Sequence, residues 1–193
     1  MTEIWLVRHG QTEWNLEGRY QGSRDIELNE NGLEQARQTA EQLKDVGFTA
    51  VYSSPLSRAY QTALMIAKKQ SVLVNTDNRL VEVSLGEWEG MLSSDIRQQY
   101  PHEIEERQRN PLHARPPGGE SAAEVAKRMA AAVNDISRVH PVGPVLLVSH
   151  GLALASLICQ AQDIPQEKVY DMVPENADPI IIQWEQLEED KSA

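Results

Sequence analysis

The run Val145-Leu146-Leu147-Val148 constrains this chain more than any other segment. Consecutive bulky apolar residues do not fit one face of a surface helix. Nor do they fit a strand that alternates between core and water. Pro144 leads into the run and Ser149-His150-Gly151 ends it. Val145–Ser149 therefore reads as a strand covered on both faces, as found in parallel sheets with helices packed on each side.

The rest of the chain alternates in the same manner. Ile4–Val7, Phe48–Ser53, Val72–Asn75 and Ile180–Trp184 read as further strands. Leu33, Ala36, Ala40, Leu43 and Val46 recur at helical spacing over Asn31–Val46, with Gly47 as the cap. A second helix opens at Pro55 and runs to about Lys69, with Ala59, Ala63, Ile66 and Ala67 inward. Ser121-x-x-Glu124 is a capping box. The helix behind it reaches about His140, with Val125, Met129, Val133, Ile136 and Val139 on one stripe. Asp95–Tyr100 starts another helix and Leu152–Gln160 is a buried one. Residues 101–119 hold Pro101, Pro111, Pro116, Pro117, Gly118 and Gly119 and read mostly as loop. Strands alternating with helices predict an α/β fold, a three-layer α/β/α sandwich around a mostly parallel sheet. A length of 193 residues fits a single domain over 1–193, with a variable, lid-like segment at about 91–119 and an acidic tail at about 185–193.

The formal net charge of −11 repels nucleic acid and anionic membranes, so neither is expected as a partner. An anionic small molecule would have to be drawn in by a few arginines gathered in one pocket. The longest apolar stretch, Gly143–Cys159, is interrupted by Ser149, His150 and Gly151, and falls short of the ~20 residues that span a bilayer. Met1–Arg8 shows no signal-peptide pattern. Cys159 is the single cysteine. With no disulfide available, a cytoplasmic location is expected. A homo-oligomer is compatible with all of this.

In sheets of this type ligands bind beyond the carboxyl ends of the strands. Arg8-His9-Gly10 follows the first strand, Ser53-Ser54-Pro55-Leu56-Ser57-Arg58 the second, Leu80-Val81-Glu82 comes after the third, and Ser149-His150-Gly151 follows the late strand. Each of His9, Arg58, Glu82 and His150 taken alone is more often structural or solvated than chemical. Both histidines, however, sit before a glycine at a strand end. Arg58 lies at a helix start, where the dipole disfavours a cation unless an anion compensates. His102, His113 and His140 fall in loops or at a helix end and read as structural.

Leu6-Val7-Arg8-His9-Gly10-Gln11-Thr12-Glu13-Trp14-Asn15 resembles the N-terminal signature of the histidine phosphatase superfamily, which includes the cofactor-dependent phosphoglycerate mutases. The likeness continues in order through Gln21-Gly22, Leu28–Gly32, Ser53–Ala63, Leu80-x-Glu82-x-x-x-Gly86-Glu87-Trp88-Glu89-Gly90, Pro117–Ser121 and Val148–Gly151. It implies a two-step phosphoryl transfer with His9 as nucleophile. Arg8 and Arg58 would supply forked donors to the phosphoryl oxygens. His150, if protonated, would add a third cation. Asn15, Gln21, Gly22 and Gly151 are the further substrate-binding positions that the resemblance implies. Glu82 would give a proton to the leaving alkoxide and then take one from water. Ser53 or Ser54 is expected to orient His9, and Trp14 and Trp88 to wall the pocket.

No cofactor or metal is implied. The competing metal reading would use His9, His150 and Glu82, and Arg8 and Arg58 in the same pocket oppose it. The segment around Glu82 resembles the phosphatase branch, because the mutases carry Glu-Arg-His-Tyr-Gly and a longer insertion. A mutase, or a phospho-ligand binding module without chemistry, are the other readings. The expected partner is a small phosphorylated metabolite. In the variable segment Arg107, Arg109 and Arg115 are either solvated or part of a lid that meets a second anionic group.

Overall fold

The computed structural model describes residues 1–185. Five strands, β1 (Thr2–Arg8), β2 (Ala50–Ser53), β3 (Val74–Thr76), β4 (Val145–Ser149) and β5 (Pro179–Trp184), form one sheet in the order β3-β2-β4-β1-β5. β1, β2, β3 and β4 pair in parallel, and β5 adds antiparallel to β1 at the edge. The helices are α1 (Glu13–Glu17), α2 (Glu30–Gln42), α3 (Ser57–Gln70), α4 (Ser93–Gln99), α5 (Pro101–Arg109), α6 (Ala122–Val139) and α7 (Gly151–Ala161).

The apolar run of β4 behaves as its composition dictates. Val145 and Leu147 enter one core with Ile4, Leu6 and the stripe Val125, Met129, Val133 and Ile136 of α6. Leu146 and Val148 enter a second core with Val51, Ala59, Ala63, Ile66 and Leu43. Successive strand residues point to opposite faces, so the unbroken run serves both layers. Burial of a Val or Leu side chain contributes ~1.5–3 kcal/mol, and every residue of β4 is buried.

Several sequence expectations are corrected here. Val139 is 68% exposed, so the α6 stripe stops at Ile136. The first long helix ends at Gln42, with Gly47 (φ +72°) well beyond it in the following turn. Residues 101–109 form α5 and not a loop. Pro101 stands in its first turn, where a missing N–H costs nothing and a fixed φ helps. Glu103 near its start and Arg107 and Arg109 near its end match the helix dipole. Of the acidic tail expected at about 185–193, only Glu185 lies within the described residues. Among those residues, no helix is long and apolar enough to cross a membrane.

Candidate active site

Strand register builds the floor of the site. Arg8 pairs with Ser149 and Ser53 with Val148, so β1, β4 and β2 end level. His9 N–H donates to Ser149 O (3.0 Å) and Ser54 N–H to Val148 O (3.0 Å), which carries the ladder one residue past each strand. His9, Ser54 and His150 thereby leave the sheet side by side. Gly10 is required by what it touches: a Cβ there would lie 2.4 Å from Gly32 O, against the first turn of α2.

His9 is buried, its ring 5.2 Å from that of His150. His9 Nδ1 lies 2.7 Å from Gly10 O, a partner that can only accept, so the proton sits on Nδ1. Nε2 then carries the lone pair, and Arg58 Nε donates to it (3.2 Å). Burial, followed by the charges of Arg58 and Arg8, holds the imidazole pKa well below its ordinary value. The ring is a neutral base with a defined tautomer near neutral pH.

Arg58 has no exposed surface. It donates to Arg24 O (2.6 Å) and Gly22 O (2.9 Å) as well as to His9. Burial pulls its pKa down to about 10, which leaves it charged near neutrality. The positive end of α3 is offset by a carboxylate that sequence reasoning missed. Asp25 accepts from Ser57 N–H (2.7 Å) and Ser57 O–H (2.9 Å). Gly22 has φ +52°, and a Cβ there would meet Glu89 Oε1 at 2.4 Å. Glu89 also accepts from Ser23 and Leu85 N–H, so it holds the Gln21–Ser23 loop in place.

Arg8 donates to Pro174 O (2.8 Å), and its buried Nε has no partner among the described residues. The His150 pKa is held well below the ordinary value by burial and then by Arg58 and His9, so the ring is neutral in this structure. Ser54 serves it rather than His9, with Ser54 Oγ 2.8 Å from His150 Nε2. Ser54 Oγ also accepts from Leu56 N–H (3.3 Å). His150 Nδ1 is buried and, among the described residues, unpartnered. Ser53 Oγ donates to Ser54 O and does not reach His9.

Glu82 sits over the start of α7. Its carboxylate accepts Leu152 N–H and Ala153 N–H (both 3.1 Å) and its neighbour Val83 N–H (2.9 Å). Arg128 of α6 holds this segment, donating to Arg79 O, Val81 O and Glu82 O and to the Glu120 carboxylate. Nothing in the α6 pattern marked Arg128. Glu87 bonds Tyr100 O–H at an exposed position and is remote in role from Glu82.

Arg8, His9, Arg58 and Glu82 line a cavity of about 290 Å³, together with Asn15, Gln21, Gly22 and Gly151, while His150 lies fully buried beside His9 and does not line it. Asn15 Oδ1 accepts from Thr12 in the capping box of α1, which leaves the Asn15 NH₂ for the cavity. Gln21 Oε1 is buried without a partner. Every strand-end residue named from the sequence is thus brought to one place. The expected walls are different. Trp88 belongs to the core and Trp14 packs by Gly90, and neither lines the cavity. Arg19, Tyr20, Arg107 and Tyr170 do. Arg109 pairs with Glu105 and Arg115 with Glu124 (2.8 Å), both away from the cavity. Arg107 stacks 5.8, 5.2 and 5.3 Å from the ring centres of Tyr20, Trp88 and Tyr170. Such cation–π contacts contribute ~0.5–2 kcal/mol each.

Among the described residues no group of three or more His, Cys, Asp or Glu is arranged to hold a metal ion. The His9 lone pair is directed at an arginine N–H.

The chain belongs to the histidine phosphatase superfamily. The family model described as branch 1 matches residues 4–190, in agreement with the motifs quoted above. The chain is similar to phosphoserine phosphatase 1 of Hydrogenobacter thermophilus, 33% identical over 186 residues, with 96% of this chain and 88% of that protein covered. It is also similar to a Proteus mirabilis protein named "Probable phosphoglycerate mutase GpmB", 40% identical over 170 residues, with 86% and 77% covered. Among solved structures, a mycobacterial glucosyl-3-phosphoglycerate phosphatase with VO3 matches at TM-score 0.86 and 32% identity, over 94% of this chain and 90% of that one. The α-ribazole phosphatase of Shigella flexneri matches at TM-score 0.86 and 28% identity, over 96% and 92%. The phosphoserine, glucosyl-3-phosphoglycerate and α-ribazole phosphatases among these support a phosphatase.

Proposed function

We propose that this chain is a phosphomonoesterase that hydrolyses a small phosphorylated metabolite through a phosphohistidine on His9. The observation that carries this reading is the buried, neutral His9 ring whose Nε2 lone pair is met by Arg58 Nε at 3.2 Å. A phosphoryl oxygen arriving at Arg58 would take over that N–H and free Nε2 to attack phosphorus. As the Nε2–P bond forms, the ester P–O bond breaks and the alkoxide takes a proton from Glu82. Water then attacks the phosphohistidine, gives its proton to Glu82 and releases phosphate. Arg8, Arg58 and the Asn15 NH₂ are the donors to the phosphoryl oxygens, with a ring N–H of His150 behind them. Fixed donors of this kind supply most of the stabilisation in phosphoryl transfer. The reading assigns no metal.

Rapid quench with ³²P-labelled p-nitrophenyl phosphate tests it. Label should appear on the chain, survive alkali and be lost in acid, and His9→Ala should carry none. Label on any other residue, or turnover by a chain that never carries label, would overturn the reading. A mutase reading has the P. mirabilis relative in its favour. In that case the label would pass to added phosphoglycerate in preference to water.

A further inference from the structure

Arg107 is the arginine of the variable segment that lines the cavity. Arg109 and Arg115 each have a carboxylate partner, as do Arg19, Arg24, Arg37, Arg79, Arg128 and Arg138, and Arg97, which has none, bonds Ser93 Oγ at an exposed position away from the cavity. Among the described residues Arg107 has none, and it shares that condition and the cavity with Arg8 and Arg58. Its guanidinium is fixed by stacking among Tyr20, Trp88 and Tyr170. Arg107 Nη2 donates to Tyr20 Oη (3.2 Å), so the Tyr20 hydroxyl keeps its own proton to donate elsewhere. Glu82 and Glu120 are the acids that line the same cavity. The first accepts amide N–H groups from α7, and the second is bound by both Nε and Nη2 of Arg128.

An oriented cation without a counter-charge, in a chain of net charge −11, is a site complementary to an anion from outside. The cavity, at about 290 Å³, is at the small end of the ~300–1,000 Å³ range of ligand sites. Arg107 lines it together with Arg8, His9 and Arg58, so one compact ligand can meet both ends. We infer that Arg107 and the Tyr20 hydroxyl form a second anion subsite, so that the preferred substrate carries a carboxylate or a second phosphate besides the scissile ester. This inference rests on the phosphatase reading of the floor.

Matched probes test it. Glycerate 3-phosphate and glycerol 3-phosphate differ by a carboxylate in place of a hydroxymethyl group. Propane-1,3-diol bisphosphate and the corresponding monophosphate differ by the second phosphate. Phosphate release should give the wild-type chain a higher kcat/KM on the doubly anionic member of at least one pair. Arg107→Leu should reduce that ratio at least tenfold, Arg107→Lys less, and Tyr20→Phe about threefold. The pair that responds tells carboxylate from phosphate. Binding of the same probes to the His9→Ala chain, measured by calorimetry, should show the same preference and the same loss. A wild-type chain that hydrolyses both members equally, or a preference that Arg107→Leu leaves intact, would overturn the subsite. If Arg107→Leu does not fold, unchanged ratios in Arg107→Lys and Tyr20→Phe would overturn it as well. Failure of the floor reading looks different: no probe is hydrolysed, while calorimetry still reports whether the Arg107 preference exists.

Discussion

The floor of the cavity is made of residues that leave β1, β2 and β4 within one position of one another. The wall is made of side chains from α5 and from the segments around Tyr20 and Tyr170. On the floor, backbone hydrogen bonds of the sheet fix where His9, Ser54 and His150 stand, and burial fixes their protonation. On the wall, position depends on a guanidinium stacked among rings, one of which, Tyr170, is 38% exposed. A sheet end tolerates few alternative arrangements, whereas a helix laid over aromatic side chains can be exchanged or shifted without disturbing the ladder. The proposed chemistry belongs to the first region and the inferred selectivity to the second.

The sharpest way to break this division is His9→Ala. We expect phosphate release below about 1% of wild type on every substrate, because a covalent step is lost. A residual rate above that would move the chemistry off the floor. Glu82→Gln comes next. It should lose ~10²–10³-fold on alkyl phosphates, within the range of general acid catalysis. It should lose much less on p-nitrophenyl phosphate, whose leaving group needs little protonation. Equal losses on both substrates would remove Glu82 from the role of acid.

The floor should also show in stability. Below about pH 6.5 an unfolded histidine binds a proton, while folded His9 and His150 do not. The unfolded state then binds more protons, so stability falls as pH drops, by up to ~1.4 kcal/mol per pH unit for each ring. Denaturant unfolding between pH 7.5 and 5.5 should show a shallower decline in the His9→Asn/His150→Asn chain than in wild type. Identical slopes would mean that the rings are not held neutral. The smallest expected effect is Arg109→Ala, less than twofold in kcat/KM, because an exposed i,i+4 pair contributes little. A large effect would enlarge the wall beyond Arg107.

The same division explains what the sequence could tell. Strand ends are legible because an apolar run stops abruptly at Arg8-His9-Gly10 or Ser149-His150-Gly151, and because the family motifs lie there. Arg58 was read as needing an anion, but Asp25, far away in sequence, supplies one. Ser53 or Ser54 is expected to orient His9, while the register of β2 and β4 hands Ser54 to His150. On the wall, Pro101 and the prolines and glycines of 111–119 concealed α5. Arg107 differs from Arg109 and Arg115 only in what it packs against, which no local pattern encodes.

The order of strands has a consequence for how the molecule comes into being. β1 is made first, yet its two neighbours in the sheet are β4 and β5, the last strands to be made. Arg8 O accepts from Ala177 N–H, His9 O from Asn176 Nδ2, and Pro174 O receives the Arg8 guanidinium. A nascent chain that has not yet delivered residues 174–184 therefore has His9 without its seat. The earliest residues wait as an unpaired apolar strand, and such distant pairings close slowly. Synthesis past β5 is the event that assembles the site.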